Sequence, residues 1–150
     1  MVTLRDSIEI CVPQERIEAW LLEIDRHYAD WHPDHVKWVN LDGELAEGKT
    51  FYYEERLKGR MYKSRCRITR LERNGRTYIE FVGLSVPDKI LGVSGSFEVV
   101  PGETCCTMTA VIRLRFGWLL GKLGISRAIL AHMEEEGKSL KAILETGLTT

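Results

Sequence analysis

The feature that most constrains the fold is a long stretch in which apolar and polar residues alternate. The alternation has period two over residues 36–115 and is interrupted by the short segments DGELAEG, RNGR, PDKILG and PGE. Such alternation is typical of strands with one face on a core, and turns this short leave no room for crossover helices. The stretch therefore predicts six successive antiparallel strands, over residues 36–41, 50–57, 61–72, 77–84, 94–100 and 105–116.

Helical segments precede and follow these strands. A first strand is expected over residues 4–12, and Pro13 then opens a short helix, because the first turn of a helix tolerates a missing N–H. The apolar stripe over residues 14–24 has helical spacing. Near the C-terminus, AILAHMEEEGKSLKAILE predicts a long amphipathic helix that ends near Gly147.

The order of these elements limits the architecture. A curved antiparallel sheet cannot cover its own concave face, whereas one long amphipathic helix can cover it. We therefore predict a single α+β domain over residues 1–150, with about seven strands wrapped around the C-terminal helix and a short helical region after the first strand. A cavity is expected between the sheet and the helix. A chain of 150 residues is large enough to bury one core of this kind.

Charge and composition exclude several classes of function. The chain has 21 Lys and Arg against 22 Asp and Glu, and a net charge of −1 gives no electrostatic footprint for nucleic acid or an anionic membrane. The basic stretch RLKGRMYKSRCR alternates like the solvated face of a sheet. No run approaches the ~20 apolar residues of a membrane span, and the N-terminus lacks the pattern of a signal peptide. We therefore expect a cytoplasmic protein with no nucleic-acid partner and no membrane insertion, as a monomer or a homodimer.

The four cysteines are expected to be reduced thiols. None lies in a CxxC motif, and Cys105 and Cys106 are adjacent strand residues whose side chains point to opposite faces. These two residues therefore cannot pair with each other, and free thiols are usual in the cytoplasm.

The C-terminal helix carries two polar residues on its apolar face. At about 100° per residue, His132 and Glu136 fall in the same stripe as Leu140, one turn apart and pointing the same way. Glu134 and Glu135 fall on the opposite side and the flank, where we expect them to be solvated. The spacing His-x-x-x-Glu suits a metal ion, and it also fits a His–Glu hydrogen bond at the border between helix and sheet.

A strand of the predicted sheet repeats this pattern. In TFYYEERL, Glu55 shares a face with Phe51, Tyr53 and Leu57, so it should point inward among apolar residues. A buried carboxylate without a partner costs several kcal/mol. Either Glu55 pairs with a cation in the cavity or with an arginine such as Arg113, or it lies at the end of the strand near water.

The segment WHPDH precedes the first strand of the meander. Pro33 fixes the loop and prevents a helix from continuing through His32, and His35 stands at the entry to the strand. These histidines are candidate ligands of the same site, and an ordinary surface loop that contains two histidines is the alternative.

Two inward carboxylates would repel each other and take up protons unless a cation lay between them. A divalent metal bound by two Glu and one or two neutral His is close to charge-neutral. Mixed imidazole and carboxylate donors suit Zn²⁺ best, with Fe²⁺ or Mn²⁺ as alternatives.

The order of elements resembles the helix-grip fold of the START and pollen-allergen superfamily, also called SRPBCC or polyketide-cyclase-like proteins. Three motifs, YADWHPDHV, FYYEERLKG and HMEEEGKSLK, resemble a metal-binding branch related to diacetylphloroglucinol hydrolases. That resemblance implies cleavage of a carbon–carbon bond next to a ketone, with a metal held by two His and two Glu. The implied ligands here are His132, Glu136, Glu55 and a loop histidine, His35 or His32.

We therefore expect a hydrophobic or aromatic small molecule in the cavity and a His/Glu-bound metal that supports hydrolysis. With His35 as the fourth ligand, His32 is the spare acid–base candidate, and Tyr53 or Tyr62 could orient a substrate oxygen. A non-catalytic lipid or metabolite carrier or sensor, and a metal-free cyclase or dehydratase, are the alternatives. Five large apolar side chains are expected in the core or the cavity wall: Met61, Phe81, Phe97, Met108 and Trp118.

Overall fold

The structure is a computed structural model that describes residues 1–146. Seven strands form one antiparallel sheet in the order β1-β7-β6-β5-β4-β3-β2. The strands are β1 (Val2–Ile10), β2 (His35–Asn40), β3 (Thr50–Leu57), β4 (Arg60–Glu72), β5 (Thr77–Gly83), β6 (Ser94–Pro101) and β7 (Cys106–Leu114). Each of β2 to β6 pairs with its successor, and β1 pairs with β7. The predicted α+β helix-grip architecture is confirmed, since alternation over residues 36–115 and short turns dictate a meander.

Among the described residues, five helices accompany the sheet: α1 (Gln14–Leu22), α2 (Ile24–Trp31), α3 (Val86–Leu91), α4 (Gly117–Lys122) and α5 (Ile125–Thr146). The long C-terminal helix is confirmed, and its predicted end near Gly147 lies outside the described residues. Its buried face is wider than predicted, because Met133 and Gly137 are buried beside His132 and Leu140. A side chain at Gly137 would lie 3.1 Å from Asp6 Oδ2, so the missing Cβ lets the helix approach β1 closely.

The helical region after the first strand is longer than predicted. The chain turns at Glu23 (φ −102°, ψ 26°), which splits it into α1 and α2. The aromatic segment of α2 buries Ile24, Tyr28 and Trp31, which are spaced i, i+4 and i+7. The helix ends at Trp31 because His32, the residue before a proline, is extended (φ −150°, ψ 143°).

A short helix, α3, replaces the turn expected at PDKILG. Ser85 caps it by accepting a hydrogen bond from the N–H of Asp88, and a proline occupies its first turn. Gly92 ends it in the left-handed conformation (φ 61°). Local capping therefore forms a helix where the sequence pattern predicts only a turn.

The cysteine prediction is wrong for two of the four thiols. The β1–β7 ladder pairs Ile10 with Cys106, so Cys11 and Cys105 face each other one step beyond its end, with Cα atoms 4.0 Å apart. They form a disulfide, whereas Cys66 and Cys106 are free and buried. Sequence spacing missed the pair because strand pairing brings together residues 94 positions apart.

Two further placements differ from expectation. Met108 is buried and Phe81 and Phe97 line the cavity, but Met61 and Trp118 are exposed.

Within residues 1–146, no helix combines the length and the apolar character that crossing a bilayer requires.

Candidate metal centre and ligand cavity

The turn between α2 and β2 presents His35 to the interior. The N–H of His35 donates to the carbonyl of His32 (3.0 Å), which closes the turn around Pro33. The imidazole of His35 stacks on the Tyr28 ring, with centroids 3.9 Å apart, and its Nδ1 lies 2.8 Å from the Tyr28 carbonyl oxygen. A carbonyl can only accept, so Nδ1 carries a proton, and in the neutral ring the lone pair is on Nε2. That lone pair is the one a metal ligand needs.

Helix α2 also fixes the position of α5. The indole Nε1 of Trp31 donates to the carbonyl of Glu136 (2.9 Å), and Ser139 Oγ donates to the carbonyl of Trp31 (2.6 Å). These two bonds hold α5 in register beside the turn. His132 and Glu136, one helical turn apart, consequently face His35.

The third element of the site is β3. His35 and Glu55 are direct partners in the β2–β3 ladder, so sheet register brings Glu55 to the same point. The Tyr28 hydroxyl donates to Glu55 Oε2 (2.9 Å). Glu55 contacts imidazole and phenol groups here, and the predicted alternative, an ion pair with Arg113, does not form within residues 1–146.

Nitrogen and oxygen atoms of four side chains converge at this point. His35 Nε2 lies 3.2 Å from His132 Nε2, 3.0 Å from Glu136 Oε2 and 3.8 Å from Glu55 Oε2. His132 Nε2 lies 3.3 Å from Glu55 Oε2 and 3.5 Å from Glu136 Oε1. Metal–ligand bonds of ~2.0–2.2 Å in a tetrahedron put neighbouring donor atoms ~3.3–3.6 Å apart. The donor set and its spacing therefore fit a divalent ion.

Charge balance supports the same conclusion. Burial lowers the pKa of His132, but its hydrogen bond to Glu55 and the charges of Glu136 and Glu55 outweigh this and raise the pKa to about 9. Burial raises the pKa of Glu55, and its contacts with His132, His35 and Tyr28 outweigh this and lower it. Two carboxylates therefore share the imidazole nitrogens of one small site, and a divalent cation would balance their charge.

His32 lies beside this group and differs in its bonding. The three rings of His32, His35 and His132 offer nitrogen atoms within 4.8 Å of one another. The N–H of Asp34 donates to His32 Nδ1 (3.0 Å), which places the ring proton on Nε2, 2.7 Å from Glu135 Oε2. Both nitrogens of His32 are thus engaged, so the geometry favours His35 as the loop ligand.

Glu135 was expected to be solvated, and it is 61% exposed, yet it contacts His32. The helical pattern places Glu135 on the flank of the face that Glu136 shares with His132, and it does not show that a flanking side chain can reach the α2–β2 turn. Glu135 reaches His32 from the rim of that face.

A cavity opens beside the two glutamates. Its volume is about 100 Å³. Thirteen of its fifteen lining residues are aliphatic or aromatic, and the two others are Glu55 and Glu136. Tyr53 is in its wall, where burial and the charge of Glu55 raise the pKa of the hydroxyl. The hydroxyl stays protonated and can donate a hydrogen bond to a ligand.

A second polar cluster lies on the same sheet face. Asp88 on α3 is only 1% exposed, and its carboxylate accepts hydrogen bonds from the hydroxyls of Tyr62 and Ser64. Tyr62 is the cross-strand partner of Glu55, and its ring centroid lies 5.9 Å from that of Tyr53. Sequence reasoning missed Asp88, because the composition of its segment predicts a turn.

Comparison with known proteins identifies the family. A family model described as "Polyketide cyclase / dehydrase and lipid transport" matches residues 1–145. The chain belongs to this family. No curated protein matches it in sequence.

Solved structures of similar fold support the predicted helix-grip architecture. A START superfamily protein from Mycobacterium smegmatis is 14% identical, with a TM-score of 0.71, covering 96% of this chain and 97% of that one. The protein TTHA0849 from Thermus thermophilus is 15% identical, with a TM-score of 0.73, covering 99% and 100%. The di-domain ARO/CYC BexL is 16% identical, with a TM-score of 0.71, covering 97% of this chain and 47% of that one. At these identities the similarity shows the fold, and the metal-binding hydrolase branch stays a prediction.

Proposed function

We propose that this protein is a metal-dependent hydrolase that binds an aromatic ketone in its cavity and cleaves the carbon–carbon bond next to the carbonyl group. The observation that carries the proposal is the convergence of His35, Glu55, His132 and Glu136 at the polar end of an apolar cavity. The resemblance of their motifs to diacetylphloroglucinol hydrolases gives the reaction class.

These four residues would hold the ion, with Zn²⁺ preferred over Fe²⁺ or Mn²⁺ for such donors. Such an ion supplies Lewis acidity toward a ketone oxygen. The aromatic wall of the cavity buries the ring of the substrate and excludes water. The protonated hydroxyl of Tyr53 orients the substrate by donating to one of its oxygens.

Hydrolysis of this bond adds the hydroxyl of water to the acyl carbon, while the departing ring carbon gains a proton. His32 is the proposed carrier of that proton: it would act as an imidazolium that Glu135, 2.7 Å from its Nε2, stabilises, and its ring centroid lies 4.4 Å from that of His132. Glu135 is exposed at the rim and can exchange protons with solvent, which would restore His32 after each turnover.

A metal-free cyclase or dehydratase is the second candidate. It is favoured by one observation, the contact of 3.3 Å between His132 and Glu55, which forms an acid–base pair without a metal. The family description includes cyclases, dehydrases and lipid transport. A non-catalytic protein that carries apolar ligands in the same cavity is therefore a further alternative.

Metal analysis of protein purified without added metal tests the proposal. We expect about one divalent ion per chain, and loss of that ion in both Glu55→Gln and His132→Ala. Hydrolysis of a panel of phenols that carry an acyl group on a ring carbon should cease on chelation and return when Zn²⁺ is added. A protein that contains no metal and does not bind added Zn²⁺ would refute the metal centre. Activity that resists chelation would favour the acid–base candidate.

A further inference from the structure

One end of the molecule gathers exposed apolar side chains from three segments. These segments are residues 56–61 at the β3–β4 hairpin, residues 85–92 around α3 and residues 115–127 around α4; we call their common surface the basic apolar rim. Lys58 Nζ donates to the carbonyl of Leu123 (3.0 Å), which joins the hairpin to the α4–α5 turn. The N–H of Arg115 donates to the carbonyl of Leu91 (2.7 Å), which joins α3 to the segment before α4.

The apolar residues of the rim are too many for an ordinary surface. Among residues 1–146, eleven large apolar side chains are exposed, and seven of them lie in the rim. They are Met61, Val86, Ile90, Phe116, Trp118, Leu119 and Leu123, with Trp118 68% exposed and Val86 71% exposed. A concentration of this kind marks an interaction surface, whereas isolated exposed apolar residues do not.

The rim is also strongly basic, although the chain as a whole has a net charge of −1. Seven exposed cationic residues lie in its three segments: Arg56, Lys58, Arg60, Lys89, Arg115, Lys122 and Arg127. Within these described segments the only acidic residue is Asp88, which is buried against Tyr62 and Ser64. The net charge of the whole chain therefore does not reveal the positively charged patch that these three segments form.

These two properties distinguish between possible occupants. A second copy of this chain docked symmetrically would bring two cationic surfaces together, which like-charge repulsion opposes. An anionic phospholipid surface offers complementary charge and an apolar layer beneath it, and tryptophan is favoured at that boundary. Lys122 Nζ lies 5.8 Å from the centre of the Trp118 ring, so a cation and an interfacial aromatic residue occur side by side.

We propose that the basic apolar rim docks this protein on anionic phospholipid membranes. Apolar side chains enter the outer layer of the bilayer, and the surrounding Lys and Arg residues contact its phosphate groups. No described segment spans the bilayer in this arrangement. The proposal does not depend on the metal centre, and it places Glu55, two residues from the end of β3, at the end of the sheet that faces the membrane.

Vesicle co-sedimentation tests the proposal with the full chain. We expect binding to vesicles of phosphatidylglycerol and phosphatidylcholine in equal parts, and at least about tenfold weaker binding to pure phosphatidylcholine. Binding to the anionic vesicles should weaken as salt is raised, because the charges are screened. Equal binding to both vesicle types, or no binding to either, overturns the proposal.

Matched variants locate the surface. We expect Trp118→Ser with Lys122→Glu to reduce vesicle binding at least about tenfold, whereas Val39→Ser with Lys37→Glu leaves it unchanged. The control pair places the same kinds of change on exposed residues of β2, at an edge of the sheet. Equal losses in the two variants would overturn the assignment to the rim.

A measurement on the unmodified protein tests the proposal without relying on the correct folding of variants. Trp118 is 68% exposed, whereas Trp20 and Trp31 are buried and Trp38 is half-buried in the cavity wall, so brominated lipid in the anionic vesicles should quench mainly the fluorescence of Trp118. Absence of this quenching would overturn the proposal. If the protein also forms a concentration-dependent dimer that Trp118→Ser dissociates, the rim would be assigned to self-association.

Discussion

Asp88 and Glu136 are both carboxylates that the fold turns away from solvent, but their neighbours differ in kind. Asp88 accepts hydrogen bonds from two hydroxyls, those of Tyr62 and Ser64. Glu136 faces the ring nitrogens of His35 and His132, and a second carboxylate approaches the same nitrogens from β3. The Asp88 carboxylate is paired with hydroxyl donors. The Glu136 carboxylate shares its imidazole partners with Glu55.

The comparison shows which property of a buried carboxylate points to a metal. Burial alone is shared by both clusters and does not distinguish them. The distinguishing property is that two carboxylates meet the same imidazole nitrogens, and that the Nδ1–H of His35 bonds to the Tyr28 carbonyl, which leaves Nε2 of the neutral ring as a ligand atom. Asp88 instead ties α3 to β4, which is a structural role.

The largest expected effect is on metal affinity. Glu136→Gln keeps the shape of the side chain and removes its charge, so we expect the Zn²⁺ affinity to fall by at least about 100-fold, the upper range for changes to outer partners of a ligand. A competition titration with a chromogenic chelator measures it. Asp88→Asn is the matched control and should retain the affinity of the unmodified protein. Equal losses in both variants would remove the distinction between the clusters.

The next effect is on stability. Asp88→Ala removes the carboxylate that accepts from the Tyr62 hydroxyl and from the buried Ser64 hydroxyl, so the free energy of unfolding should fall by about 1–3 kcal/mol. Urea denaturation measures it, once with chelator and once with Zn²⁺. We expect the loss under both conditions. A loss that occurs only with Zn²⁺ would mean that Asp88 serves the metal centre.

The clusters should also differ in their response to pH. In metal-free protein His132 should titrate with a pKa of about 9, above its ordinary value of 6.5, because Glu55 and Glu136 stabilise the imidazolium. The stability that this raised pKa contributes is fully present below pH 6.5 and is lost as pH rises through about 9. Burial and the hydrogen bond to Asp88 raise the pKa of Tyr62, so the other cluster keeps its protons over this interval.

Histidine NMR on metal-free protein, assigned with His132→Gln, measures this titration. Adding Zn²⁺ should abolish it, since metal ligation requires the neutral ring. A pKa of His132 below its ordinary 6.5 would show that burial outweighs the two carboxylates.

The smallest effect separates His32 from His35. Glu135 is largely exposed, so Glu135→Gln should change the free energy of unfolding by less than about 1 kcal/mol. It should also weaken Zn²⁺ binding by less than about tenfold, because neither His32 nitrogen offers a spare lone pair. Zn²⁺ loss as large as that of Glu136→Gln would place His32 in the ligand set.

Much of the fold could be predicted because its patterns are local. Alternation gives the strands, and the position of Glu55 within TFYYEERL gives its inward direction, as observed. The His132–Glu136 stripe also predicts the inward face of α5. Asp88 and the Cys11–Cys105 disulfide could not be predicted in this way, since one depends on a capped helix in an expected turn and the other on strand pairing.

The sequence by itself determined the meander, the long helix and the inward direction of Glu55 and Glu136, because periodicity fixes which face of an element is buried. Only the tertiary structure favours His35 over His32 as the proposed loop ligand, because that choice depends on which ring nitrogen already donates its proton to a neighbouring acceptor. It also decided the charge of the basic apolar rim. Three segments that are distant in sequence lie side by side there, and a net charge summed over the whole chain cannot reveal this.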